Sequence, residues 1–388
     1  MQELSRRTAV FTDSVIRRMT RISNQYQAIN LSQGFPDFDP PKEITERLAE
    51  IASIGPHQYA TTWGAHNFRV ALAKKQEKYM GIAIDPETNV VVTCGSTEAM
   101  MAAMMTVTNP GDKVIIFSPF YENYGADTIL SGAIPIYVPL IPPEFNFDPN
   151  ALEAAFQKGV KALILCNPSN PCGKVFSYSE LQIIAELAVK YDVYVITDEV
   201  YEHIVYEPFE HIYIASLPDM WERTICCSSL SKTYSITGWR LGYVIGPSAI
   251  IERIKKVHDF LTVGAAAPLM EAAVVGLNFA DSYYKDLQAH YTHMKTVFTK
   301  GLKELGFTFT EPQGAYYVMV DISEFKRESD FEFCERLARV IGVGAVPGSS
   351  FFQEDINHLI RFHFAKKDET LYAALDRLSD IRNKLKTR

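Results

Sequence analysis

Seven short apolar runs, rich in β-branched residues, mark the first two-thirds of the chain, at residues 90–93, 113–117, 134–138, 162–165, 194–197, 224–228 and 241–245. Most lack polar alternation, which is how strands buried on both faces of a parallel sheet read. Helix-like stretches lie between several of them. Residues 97–107 are rich in Ala and Met, and residues 179–190 carry apolar positions at helical spacing behind a serine N-cap. Strands alternating with helices predict an α/β sheet covered on both faces. After about residue 267 the pattern changes: long helical periodicities over 269–278, 283–305, 330–340 and 368–384 surround short strands near 316–320 and 360–364. The expectation is a mostly parallel, seven-stranded sheet in a large domain (41–284) and a smaller α+β domain (285–388). Residues 1–40 would form an N-terminal arm and part of the small domain. No internal repeat or low-complexity tract interrupts this plan.

Composition narrows the class. The 388 residues are 47% hydrophobic and 22% charged, an ordinary globular balance. A net charge of −8 argues against nucleic acid or an anionic membrane surface as the partner. No window approaches the ~18 consecutive apolar residues of a membrane span. The first residues, with Glu3, Arg6, Arg7, Asp13, Arg17 and Arg18, lack the apolar stretch of a signal peptide. Six cysteines without a CxxC pair do not make a disulfide scaffold. A soluble cytoplasmic protein with a large core and no metal is expected.

In open α/β sheets, ligands bind beyond the carboxyl ends of the strands. The first run is followed by Cys94-Gly95-Ser96-Thr97-Glu98, a glycine turn opening a helix. Free N–H groups and small hydroxyls there suit an anion, although a plain capped turn reads the same way. Run 162–165 leads into Asn167-Pro168-Ser169-Asn170-Pro171-Cys172-Gly173, a stiffened loop that leaves the Asn170 amide for a ligand or serves simply as a turn. Run 194–197 ends in Asp198-Glu199-Val200-Tyr201, and an acid at the end of a buried strand needs a cation or strong donors. That cation could be a ligand's or a structural one. Run 224–228 leads to Ser229-Leu230-Ser231-Lys232-Thr233-Tyr234-Ser235-Ile236-Thr237-Gly238-Trp239-Arg240. A lysine among hydroxyls becomes a nucleophile if desolvation or neighbouring cations lower its pKa, and Arg240 suits a dianionic phosphate. Neither GxxxxGK[ST] nor an early GxGxxG is present, which removes the common nucleotide motifs. Together the elements meet the needs of pyridoxal phosphate: a lysine for its aldehyde, a carboxylate for its ring nitrogen and an anion site.

At these residues the sequence resembles the fold-type I, class I/II aminotransferases, and within them the kynurenine/glutamine/methionine aminotransferase branch. The likeness extends to Asn30-Leu31-Ser32-Gln33-Gly34-Phe35-Pro36-Asp37-Phe38, Gln313-Gly314-Ala315-Tyr316-Tyr317 and Arg361-Phe362-His363-Phe364-Ala365-Lys366. It implies an aspartate aminotransferase-like fold, a large domain that binds pyridoxal 5'-phosphate, and a homodimer with shared active sites. It further implies that Lys232 is the Schiff-base lysine and proton carrier, that Asp198 pairs with the ring nitrogen, and that Asn170 and Tyr201 donate to the phenolic oxygen. Tyr121 would stack on the ring. Gly95, Ser96, Thr97, Ser229 and Arg240 would form the phosphate site, with Tyr59 entering from the partner chain. Arg361 would clamp the substrate α-carboxylate, helped by Asn170 and the Gly34 backbone. The implied reaction moves an amino group from an L-amino acid with an aromatic, sulfur-containing or amide side chain to a 2-oxo acid such as 2-oxoglutarate. An aspartate or diaminopimelate aminotransferase, and a C–S β-lyase acting on cysteine conjugates, use the same motifs. A non-enzymatic ligand sensor is a further alternative, against which stands the lack of an appended DNA-binding module. One departure is the run of small residues Val263-Gly264-Ala265-Ala266-Ala267-Pro268, where related enzymes often carry larger ones. No second arginine clearly marks a site for a distal carboxylate.

Overall fold

The computed structural model describes residues 2–11, 13–325 and 328–385. In chain order it begins with α1 (Val15–Gln25), β1 (Ile29–Asn30), α2 (Lys42–Ile54) and α3 (His66–Met80). Strands and helices then alternate: β2 (Val90–Thr93), α4 (Ser96–Val107), β3 (Lys113–Ser118), α5 (Glu122–Leu130), β4 (Ile134–Pro139), α6 (Pro149–Phe156), β5 (Val160–Cys166), α7 (Tyr178–Lys190) and β6 (Tyr194–Asp198). After β7 (Thr224–Ser229) and β8 (Gly242–Ile245) come α8 (Ser248–Thr262), α9 (Ala267–Leu277) and α10 (Asp281–Glu304). The remainder comprises β9 (Tyr317–Asp321), α11 (Asp330–Arg336), β10 (Val343–Gly344), β11 (Val346–Pro347), β12 (Leu359–His363), α12 (Asp368–Ser379) and α13 (Ile381–Leu385).

All seven apolar runs are strands of one sheet, ordered β2-β8-β7-β6-β5-β3-β4. Pairing is parallel except at β8, which runs antiparallel to both β2 and β7. The absence of polar alternation has a direct cause in packing. Successive residues Ile115/Ile116, Leu163/Ile164 and Val195/Ile196 point to opposite faces, and both faces are covered. On one side α4 brings Ala99, Ala102, Ala103 and Met104 against the sheet, and α8 brings Ile251 and Ile254. On the other, α7 contributes Leu181, Ile184 and Ala188. Its start is a capping box between Ser177 and Glu180.

The C-terminal part is a three-stranded antiparallel sheet, β11-β12-β9, packed with α10 and α12 around a second core that includes Phe298, Val318, Phe362 and Leu371. β1 pairs in parallel with β10, which joins the N-terminal segment to it. Two helical periodicities are each carried by two successive elements instead of one continuous α-helix. The 368–384 pattern breaks at Asp380, where the Ser379 hydroxyl bonds back to Asp376 O and a separate short helix begins. The 330–340 pattern widens into a π turn over Leu337–Ile341 and stops at Gly342, whose φ of 82° is the left-handed cap glycine favours. Among the described residues no helix is long and apolar enough to cross a membrane.

Candidate active site

The carboxyl ends of β6 and β7, the turn into α4 and the loop after β5 open into one cavity of about 430 Å³. Ser96, Thr97, Tyr121, Asn170, Asp198, Tyr201, Ser229, Lys232, Arg240, Gly34 and Arg361 all line it, although they come from positions as far apart as 34 and 361. Gly95 lies immediately behind the wall as the residue before α4 (φ 83°), and a Cβ there would collide with the Arg240 guanidinium. Tyr59 is not in the cavity of its own chain; it lies on an outer loop, 88% exposed.

Lys232 follows β7 by three residues, and its Nζ donates to Gly34 O at 3.3 Å. Burial lowers its pKa to about 8, Arg240 and Arg361 push it the same way, and Asp198 opposes them. Asp198, the last residue of β6, is buried. Its Oδ2 accepts from Tyr124 Oη at 2.7 Å and its Oδ1 from Val200 N at 3.4 Å. Burial pushes this carboxyl up, and those donors only partly restrain it. An anion so placed is incomplete without a cation on its cavity side. Tyr201 Oη and Tyr317 Oη lie 2.8 Å apart.

Arg361, on β12, is 0% exposed, yet among the described residues no carboxylate pairs with it. Its Nη1 donates to Asn170 Oδ1 at 2.6 Å and its Nη2 to Ser32 O at 2.8 Å, while Nε has no partner. The Tyr317 ring lies 4.2 Å and the Phe351 ring 4.6 Å from the guanidinium carbon. The Arg361 bond also settles which way the Asn170 amide faces, because Oδ1 is the acceptor and the NH2 group is left to donate. Arg240 has a left-handed backbone (φ 54°), and among the described residues its side chain bonds only the Thr237 carbonyl, at 2.9 Å. Four cationic side chains, Arg17, Lys232, Arg240 and Arg361, therefore line a cavity whose one deeply buried acid is Asp198.

Several residues in or behind the cavity wall were not singled out from sequence. Ser231, Thr237 and Gly238 sit inside a motif already noticed and close the wall around Arg240. Tyr124 is one helical turn beyond Tyr121, a spacing that could have suggested it. Asp127, a further turn on and buried, has an Oδ2 without a partner, and burial together with Asp198 raises its pKa to about 7. Ser14, Ile16, Arg17 and Glu122 bring α1 and the start of α5 into the cavity, which no local motif announced.

The aminotransferase class I and II family model matches residues 26–378. The chain is 35% identical to a probable N-succinyldiaminopimelate aminotransferase of Mycobacterium tuberculosis, over 95% of this chain and 96% of that one. The solved structure of N-succinyldiaminopimelate aminotransferase from the same organism superposes with a TM-score of 0.93 at 35% identity, covering 97% of this chain and 99% of that one. A methionine aminotransferase of Escherichia coli is 36% identical over 96% of both chains, and the structure of an E. coli protein with that function gives a TM-score of 0.94, with 98% and 100% coverage. Human kynurenine–oxoglutarate transaminase 1 is 34% identical over 92% of this chain and 93% of its own.

Proposed function

The chain belongs to the class I and II aminotransferases, and on that footing we propose how its cavity carries out the reaction and which substrates it takes. It is a pyridoxal-phosphate-dependent enzyme that transfers an amino group between amino acids and 2-oxo acids. The cavity fits the cofactor on several counts. Arg240 is a cation without an acidic partner among the described residues, set beside a glycine whose missing Cβ leaves room and beside the free N–H groups of the first turn of α4. Asp198 is a buried anion that needs a cationic neighbour, and Lys232 is an amine in reach of the same space. Pyridoxal phosphate supplies, when bound, an aldehyde carbon that takes the amino group and a protonated ring that draws electrons from the substrate Cα.

In this reading Lys232 would hold the aldehyde carbon through its amine and would serve as the base at the substrate Cα. With its pKa lowered to about 8 by burial, its amine gives up a proton far more readily near neutral pH than an ordinary lysine does. Asp198 holds the ring nitrogen protonated, with Tyr124 fixing the carboxylate from behind. The Asn170 NH2 group and Tyr201 Oη donate to the phenolic oxygen, and Tyr121 covers the ring face. Gly95, Ser96, Thr97, Ser229 and Arg240 hold the phosphate. The single observation that carries the substrate side is Arg361: buried and unpaired, with two N–H groups spent on neutral oxygens, it has three left for an α-carboxylate.

The same reading makes the enzyme a homodimer in which Tyr59 of the partner subunit completes the phosphate site, and assigns residues 41–284 to the cofactor domain. That boundary falls just inside α10, which runs through it unbroken. The donor is an L-amino acid with an aromatic, sulfur-containing or amide side chain, supported by Ile16, Phe35 and Tyr121 in the cavity wall. The acceptor is 2-oxoglutarate. Single-turnover bleaching of the bound cofactor tests this. Methionine, glutamine or kynurenine should convert the visible band faster than aspartate or diaminopimelate, and the reverse order would refute the donor assignment.

A further inference from the structure

Three guanidinium groups line the cavity, and the reading above uses two of them. The third belongs to Arg17, in the first turn of α1. Among the described residues its side chain has no ion pair and no hydrogen bond; its backbone N–H alone is used, by Ser14 Oγ at 3.2 Å. It lies close enough to Tyr121 to offset part of the burial that raises that hydroxyl's pKa. Glu122, a carboxylate of the same cavity wall, is already committed. Its Oε1 accepts from Ser14 Oγ and its Oε2 from Val15 N at 3.1 Å, so it caps α1 and does not neutralise Arg17. Beside these groups, Gln33 Oε1 accepts from Thr20 Oγ1 at 3.0 Å, which leaves the Gln33 NH2 group as a second donor on the same wall.

A transaminase passes both of its substrates through one cavity, so each wall must serve whichever is bound. Ile16 and Phe35 offer apolar surface to a donor side chain. The Arg17 guanidinium and the Gln33 amide find no charge partner in an aromatic, thioether or amide side chain but match a carboxylate. We infer that Arg17, with Gln33, anchors a distal carboxylate, so that one substrate of the pair is a dicarboxylic 2-oxo acid and its product a dicarboxylic amino acid. The inference rests on the assignment of Arg361 to the α-carboxylate. Arg17 is exposed and on a long flexible stem, so it can withdraw into solvent when the side chain is uncharged.

Calorimetric titration of the holoenzyme with two unreactive acids, glutarate and valerate, at low ionic strength tests it. Glutarate should bind the unaltered enzyme more tightly than valerate. Arg17→Gln should weaken glutarate about tenfold, the size of one charge-assisted contact, and leave valerate within twofold. Arg17→Lys should recover most of the loss. Equal affinities in the unaltered enzyme, or an Arg17→Gln change that is absent or the same for both acids, would overturn the inference while leaving the rest of the site standing. Arg361→Gln is the separate control. Loss of both acids supports the α-carboxylate assignment, and undiminished valerate binding would bring down that assignment and this inference with it.

Discussion

Glu98 shows how much one buried side chain can hold in place. It lies in the first turn of α4, just past the proposed phosphate hydroxyls, and collects Cys94 N at 2.5 Å, His258 Nδ1 at 2.5 Å and Thr262 Oγ1 at 2.9 Å. The other ring nitrogen of His258 meets Thr62 O at 2.9 Å. Carboxylate and carbonyl oxygens can only accept, so both ring nitrogens must carry protons and the ring is an imidazolium. The pair thus ties the turn before α4 to the end of α8 and to the loop bearing Tyr59. Burial alone would raise the Glu98 carboxyl, but its donors together bring it below the usual range. Burial alone would lower His258, and Glu98 with the Thr62 carbonyl brings it above. The histidine's contribution is therefore complete below about pH 6.5 and fades as pH climbs through its raised value. The carboxylate's is complete above about pH 4.5 and fades as pH falls through its depressed value. Replacing His258 with Ala should cost about 3–5 kcal/mol in urea unfolding at pH 5.5, because it leaves a buried carboxylate unpaired. The deficit should shrink toward both ends of the pH range. A loss under 1 kcal/mol, or one that is flat with pH, would show that the pair does not act as an ion pair.

At the scale of elements, what sequence reveals depends on whether an element's role is local. β3, β5, β6, β7 and the rest of the sheet were legible because two covered faces force an unbroken apolar run. The residues after each run were legible as chemistry because parallel strands deliver their carboxyl ends to one edge. Asp198, Asn170, Lys232 and Arg240 could be singled out on that ground, and the family likeness supplied Tyr121 and Arg361. By contrast, α1 reads Val-Ile-Arg-Arg-Met-Thr-Arg-Ile-Ser-Asn-Gln, and its apolar stripe of Val15, Ile16, Met19 and Ile22 marks an amphipathic helix without saying what that helix docks against. Its place at the cavity comes from long-range contacts, such as the Glu122 cap on Ser14 and Val15, which no local pattern encodes. For that reason Arg17 appeared in the sequence only as one of several N-terminal charges. The two-residue strands β1 and β10 carry no periodic signal at all. β4 is partly exposed at the sheet edge and bears Pro135 and Pro139, residues that an edge strand tolerates.

At the scale of the whole molecule, uncovered apolar surface supports the proposed homodimer. Phe260 is 91% exposed and Val263 50%, next to the small-residue run, and Tyr59 and Ile54 are also uncovered. Val263 adopts a left-handed backbone (φ 66°), which is costly for a β-branched residue. On the proposed homodimer, Phe260→Asp should shift the protein from dimer to monomer in sedimentation equilibrium and speed loss of the cofactor, because Tyr59 of the partner subunit would no longer reach the phosphate. An unchanged dimer would place the interface elsewhere. The central claim is narrower: the amine of Lys232 is the one that bonds the cofactor. Borohydride reduction of the holoenzyme followed by peptide mass mapping reads this directly. The account predicts one pyridoxyl group per chain on Lys232, and none on Lys366 or Lys75, which are also buried. Label on either of those lysines, or on none, would contradict it.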